Sequence, residues 1–359
     1  MRRLSICCVV VALSACDQSG GSSATPLQAD VKAAVDRYQL GSVERSDLDK
    51  EKTHRALVQL GQEPCNRDAM GSLGYELDVA GYRRQAANAL TRFVDACGRA
   101  DGFLSAALED LMAVSDYPAA IALGDRLLAT DPANPDYYFA RGRAYEGHGE
   151  NDRALADYMQ TIALIPDRQS ITSNLFLRAA DMHAKAGRYC DAISMIRMWM
   201  SADPDRANNS QAKNIIAKYA THQSCPATYA SGDDSFVRQS GGTIRVKASI
   251  NGVEGNFIVD TGATYVTLTR GFAKRAHVET AQATKIRLQT ANGPTEGLLT
   301  HAASVKVGHA QAADVAVSVN GPSAPALGGG IDGLLGQSFL SRFGMTVTPT
   351  RWALGKAVE

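Results

Sequence analysis

The segment Phe257-Ile258-Val259-Asp260-Thr261-Gly262-Ala263-Thr264 places one carboxylate directly after an apolar run and two residues before a glycine. A carboxylate held at a strand end, with backbone N–H groups beside it for orientation, suits general acid–base work. The glycine allows a sharp turn and a close backbone approach. Thr261 offers a hydroxyl that can reach a counterpart in a second copy. Asp-Thr-Gly alone is three common residues, and the apolar strand before it and Ala263-Thr264 after it make the signal specific. Other chemistries lack their residues. The 7 histidines are scattered, with no His-Glu-x-x-His and no close pair, so no metal is expected. Gly328 to Gly330 lacks the strand, lysine and helix of a phosphate loop.

A second motif lies near the other end of the same region. Ile331-Asp332-Gly333-Leu334-Leu335-Gly336 precedes Gln337-Ser338-Phe339-Leu340 and reads as an apolar strand, a glycine turn and a short helix. On these two motifs the stretch from about Thr243 to Leu354 resembles the retropepsin-like aspartic proteases, particularly a bacterial branch with Leu-Leu-Gly and Ser-Phe-Leu in that element. The resemblance implies a closed, mostly β fold that forms half of an active site. Asp260, Thr261 and Gly262 would then be the catalytic turn, with Leu334, Leu335 and Gly336 threaded beside it. The turn at Ala291, Asn292, Gly293 and Pro294 would be the tip of a flap over substrate, with a plain hairpin as the alternative. Such enzymes activate water between two carboxylates that share a proton, without a cofactor. This chain has one such turn and too little β-rich sequence for two lobes. The second carboxylate is therefore expected from Asp260 of another copy in a symmetric homodimer. Asp332 is the other candidate and reads better as a turn residue. Thr348-Pro349-Thr350-Arg351 departs from the acidic turn expected between the family's last two strands.

The elements that must position this site follow from periodicity. Thr243 to Ile250 alternates like a strand, Asn251-Gly252 is a tight hairpin turn, and Asn256 to Val259 is the returning partner. Tyr265 to Leu268 reads as a further strand and Gly271 to Ala276 as a helical turn. Ile286 to Ala291 and Thr295 to Val307 read as strands joined by Asn292-Gly293. Ser231 to Ser235 reads as a linker into this domain.

Before the linker the chain repeats itself from about residue 67 to 204. In the third unit Gly142, Tyr145, Gly149, Ala154, Tyr158 and Pro166 stand where tetratricopeptide repeats carry Gly, Tyr, Gly, Ala, Phe and Pro, a resemblance that extends to four units. The second unit carries Leu108, Leu111, Ala120 and Leu127, and its Pro132 lies 34 residues before Pro166. The first matches through Gly74, Leu77, Gly81, Ala86, Leu90 and Phe93. The fourth matches through Ala180, Gly187, Ala192, Ile196, Trp199 and Pro204, after a few extra residues around Arg168 to Thr172. Small residues let paired helices approach, and proline ends the second helix of a unit. An irregular Ala-rich bundle is the alternative.

The first residues read as a targeting segment. Arg2 and Arg3 precede a short apolar stretch, and Leu13-Ser14-Ala15-Cys16 resembles a lipobox with Cys16 lipidated. An ordinary signal peptide cut after Ala15 is the alternative. Gln18 to Pro26 reads as a tether, and Asp17 favours retention at the inner membrane over the outer. In an oxidising envelope the remaining Cys65, Cys97, Cys190 and Cys225 are expected as disulfides. Antiparallel helices bring Cys65 to Cys97, and Cys190 to Cys225. The expected organisation is a signal peptide over 1–15, a tether and lead-in over 16–50, helical repeats over 51–230 and the protease domain over 236–359. Fold class is thus multidomain, an all-α tetratricopeptide-like array followed by an all-β acid protease domain.

Lys+Arg and Asp+Glu are equal at 37 each among 359 residues, and no basic run with interleaved aromatics occurs, which argues against nucleic acid. The membrane is expected to be touched only through the lipid. The leading expectation is an exported, lipid-anchored, periplasm-facing aspartic endopeptidase whose repeats recruit a protein substrate or regulate dimerisation. The rival is an envelope scaffold in which the repeats bind protein and the β domain only dimerises.

Overall fold

The computed structural model describes residues 26–238, 242–322 and 324–355. The expected signal peptide, the Cys16 lipidation site and nearly all of the tether lie outside the described residues. No helix among the described residues is long and apolar enough to cross a membrane.

The first half is a stack of helices. A lead-in of α1 (Ala29–Tyr38), the short α2 (Arg45–Leu48) and α3 (Glu51–Gln62) precedes four hairpins. These are α4 (Arg67–Val79) with α5 (Arg83–Cys97), α6 (Asp101–Ala113) with α7 (Tyr117–Thr130), α8 (Pro135–His148) with α9 (Asn151–Leu164), and α10 (Ser173–Lys185) with α11 (Tyr189–Ser201). A last helix, α12 (Ser210–Ala220), covers the end of the stack. The repeat register read from the sequence is thereby observed hairpin for hairpin.

Close approach explains the small residues. A Cβ on Gly142 would lie 2.9 Å from the Tyr158 ring, and one on Gly74 3.0 Å from Leu90. Ala86, Ala120, Ala154 and Ala192 are fully buried at equivalent places. Pro132 and Pro166 fall just after α7 and α9 end, where a missing N–H costs nothing. Both expected disulfides are present, Cys65–Cys97 with 5.4 Å between Cα atoms and Cys190–Cys225 with 5.6 Å. Cys225 lies beyond the end of α12 rather than within it.

The second half is β-rich. A seven-stranded sheet has the order β2-β3-β8-β4-β7-β6-β5, and β2 also pairs with the far part of β6, which closes it. Its strands are β2 (Arg245–Ile250), β3 (Val253–Val259), β4 (Val266–Leu268), β5 (Thr284–Thr290), β6 (Gly293–Val307), β7 (Ala310–Asn320) and β8 (Gly333–Leu335). Asn251 and Gly252, both at positive φ, make the tight turn between β2 and β3. Two short helices, α13 (Arg270–Arg275) and α14 (Gln337–Leu340), pack on the sheet around Phe257, Phe272 and Phe339.

A second sheet has the order β1-β10-β9, from β1 (Asp234–Val237), β9 (Gly344–Val347) and β10 (Arg351–Gly355). Trp352 is buried in it and stacks on Phe236 with ring centroids 4.5 Å apart. The segment read as a linker is therefore structured. Ser231 exchanges backbone hydrogen bonds with Gln311, and Asp234 begins a strand. Backbone pairing to partners more than a hundred residues away in β10 outweighs a Ser/Gly/Asp composition that favours loops.

Candidate active site

Asp260 stands at the end of β3, where its backbone N–H donates to Leu335 O at 3.0 Å. Strand β8 runs parallel to β3, with Val259 opposite Leu335, and antiparallel to β4, with Thr267 opposite Leu334. It is thus inserted between the two strands that flank the acidic turn. That insertion requires glycine. A Cβ on Gly336 would lie 2.1 Å from Tyr265 O, and one on Gly333 2.3 Å from Thr267 O. From α14, Gln337 N donates to Ala263 O, Ser338 N to Thr264 O, and Gln337 Nε2 to Thr261 O. The turn is thus held from β8 and α14 by backbone and side-chain hydrogen bonds.

Gly262 N donates to Asp260 Oδ1 at 2.8 Å, and a Cβ on Gly262 would lie 3.1 Å from that oxygen. The glycine is needed here for close approach to the carboxylate, since its φ is not in the left-handed region. Thr261 and Gly262 are exposed, so the face of the turn is open to solvent. Asp332 is not brought to Asp260. Its carboxylate accepts from Asn256 N at 2.9 Å and from Arg275 at 2.7 Å, which is a structural role.

A cavity of about 520 Å³ opens above Asp260. Thr290, Ala291 and Asn292 of the β5–β6 hairpin lie on one side, with Leu334 and the loop from Ala324 to Leu327 on the others. Of the expected flap-tip residues, Ala291 and Asn292 line it. Gly293 and Pro294 are paired with Thr290 and Gln289 at the start of β6 and do not. Among the described residues, Asp260 is the only acidic one lining the cavity. Among the described residues no cluster of three or more His, Cys, Asp or Glu side chains is placed to hold a metal ion.

The remaining wall comes from the helical array, which the sequence did not predict. Ile162 and Ala163 of α9, followed by Ile165 and Pro166, complete the cavity. Ala163 packs with Tyr265 and Leu288 in a small apolar cluster supported by Met159, Ile286 and Leu299. Gln160 presents its amide to the edge strand β5. Its Nε2 donates to Arg287 O at 2.5 Å, and its Oε1 accepts from Arg287 N at 3.1 Å. Arg168 lies in a short 3₁₀ turn of the extra residues after α9 and donates to the Thr264 hydroxyl. Burial pushes its guanidinium down to about 10 against the pull of the Asp260 carboxylate, so it stays charged at neutral pH. Burial likewise raises the Tyr265 phenol, partly offset by Arg168. The one available signal was the break in repeat period at Arg168 to Thr172.

Residues 246–342 match the family model described as gag-polyprotein putative aspartyl protease. The match spans β2 to just past α14 and contains the Asp260 turn. Among solved structures, a retropepsin-like aspartic protease from Rickettsia conorii is similar at 25% identity, over 35% of this chain and 93% of that one, with a TM-score of 0.29. MamA from Desulfovibrio magneticus RS-1 is similar at 15% identity, over 52% of this chain and 100% of that one, with a TM-score of 0.38. YrrB, described as a TPR protein with an unusual peptide-binding site, is similar at 14% identity, over 52% and 92%, with a TM-score of 0.39. No significant match was found among curated proteins. The chain is an array of helical hairpins followed by a β domain whose residues 246–342 are similar to the gag-polyprotein putative aspartyl proteases.

Proposed function

We propose that this protein is an exported, lipid-anchored aspartic endopeptidase of the bacterial envelope, facing the periplasm, that acts as a homodimer. The observation that carries the reading is the clamped Asp260 turn at the floor of a large cavity, with a hairpin at its rim. Export and anchoring rest on Arg2, Arg3 and the Leu13-to-Cys16 motif, and two disulfides fit an oxidising compartment. The inner membrane is favoured by Asp17.

Dimerisation follows from counting carboxylates. Peptide hydrolysis by this chemistry needs two, and the cavity is lined by one. In the dimer the Asp260 side chains of the two copies meet and share a proton. The ionised carboxylate takes a proton from water while the protonated one donates a hydrogen bond to the scissile carbonyl. Gly262 N–H holds each carboxylate in place. Exposed Thr261 is available to bond across the dimer axis, and exposed Val237 and Val347 lie on the edge strands β1 and β9 of the smaller sheet.

The test is cleavage of denatured envelope proteins by the purified full-length chain and by Asp260→Asn, with mass measured in solution for both. Cleavage is expected to drop by at least about 10³-fold in the variant, as when an enzyme loses an essential catalytic group. Equal cleavage by a dimeric variant would overturn the reading.

A further inference from the structure

The residues that break the repeat period are also those that bring the array to the cleft. The first helices of successive units begin at Arg67, Asp101 and Pro135 and then, after a longer interval, at Ser173. The added length holds the 3₁₀ turn from which Arg168 reaches Thr264, immediately after the cavity-lining Ile165 and Pro166. A strictly regular repeat has no segment at this place.

We infer that the array supplies part of the substrate pocket. Ile165 and Pro166, backed by Ile162 and Ala163, form an apolar subsite that selects an aliphatic or aromatic side chain of an extended polypeptide beside the bond cut at Asp260. This deepens the protease reading and rests on it. Three observations carry it. The array residues and Asp260 line one continuous cavity. All four array residues are apolar and share that cavity with Leu288, Leu327 and Leu334, so a charged side chain seated against that wall would lose water there and gain no partner from it.

The wall is also preformed. Gln160 is bonded to both backbone groups of Arg287, Ala163 is packed on Tyr265 and Leu288, and Arg168 is tied to Thr264. Farther off, half-buried Tyr229 bridges the halves, accepting Arg342 at its carbonyl and bonding Ser194 through its hydroxyl. A fixed apolar wall discriminates by size and charge, and a single methylene in such a pocket is worth roughly 10–200-fold. Ile165 is half-buried and Pro166 exposed, which leaves them accessible to substrate and tolerant of change.

The test compares cleavage of a mixed peptide library by full-length wild type, Ile165→Asp and Ile165→Lys, with Asp260→Asn as the blank. Wild type is expected to prefer apolar residues at one position near the cut. Ile165→Asp should shift that position toward Lys and Arg by about tenfold, and Ile165→Lys toward Asp and Glu by a similar factor. Opposite shifts from opposite charges cannot come from partial unfolding. If both charged variants are inactive, Ile165→Ala decides: a shift toward larger apolar residues supports the subsite, and an unchanged order overturns it. Active charged variants with the wild-type preference also overturn it while leaving the protease reading intact. Absence of any Asp260-dependent cleavage by wild type overturns both.

Discussion

In the helical array each element meets mainly its sequence neighbours: α4 packs on α5, α6 on α7, α8 on α9. In the β domain the acidic turn is held by a strand that arrives far later in the chain, with Val259 beside Leu335 and Thr267 beside Leu334. The first architecture tolerates a local defect because the load is spread over similar interfaces. The second concentrates its demands on a few backbone crossings. In keeping with that contrast, two backbone-limited glycines, Gly333 and Gly336, lie directly beside the Asp260 turn.

Four changes test the contrast, from the largest effect down. Gly336→Ala drives a methyl into Tyr265 O and should cost the β domain at least about 3 kcal/mol. Calorimetry should show the β transition lowered or lost while the array transition stays. Removing Cys65–Cys97 by paired serine substitution should lower array stability by about 2–4 kcal/mol and leave Asp260-dependent cleavage intact. A comparable fall in the β transition would show that the halves do not unfold separately.

Gln160→Ala addresses the seam between them. It strips both backbone partners from Arg287 and should cost about 1–3 kcal/mol locally, read as faster hydrogen exchange at the Arg287 amide with the other β5 amides less affected. The smallest effect concerns Asp110 on α6, whose carboxyl is raised to about 6, chiefly by burial and then by Asp78. The folded array takes up a proton near pH 6 that the unfolded chain takes up only near about 4. The Asp110 contribution to array stability should therefore rise as pH falls through 6 and level off below 4. The gain is on the order of 1 kcal/mol once the solvent around the side chain is allowed for. Asp110→Asn should flatten this dependence in thermal melts taken across that range.

The same contrast governs what was legible in the sequence. The array announces itself through Gly142, Ala154, Tyr158 and Pro166 because repeat contacts recur at fixed local spacing. The acidic turn was legible because Asp260 and Gly262 carry steric and chemical demands that few other residues meet. The seam was not. Gln160 and Ala163 are ordinary on a helix, and only their meeting with Arg287, Tyr265 and Leu288 gives them meaning. The pairing of β1 with β10 was hidden for the same reason, since nothing in Asp234 to Val237 names Arg351 to Leu354 as its partner.

That pairing separates two borders that are usually taken as one. Along the chain, the β domain proper starts at β2, but β1 already belongs to its smaller sheet, with Phe236 lying on Trp352. A nick between β1 and β2 would cut the covalent connection and leave a four-residue strand still seated beside β10. Separation of the β domain from the helical array would then require strand withdrawal as well as peptide cleavage. A polypeptide started at β2 would instead bare the β10 edge and one side of Trp352.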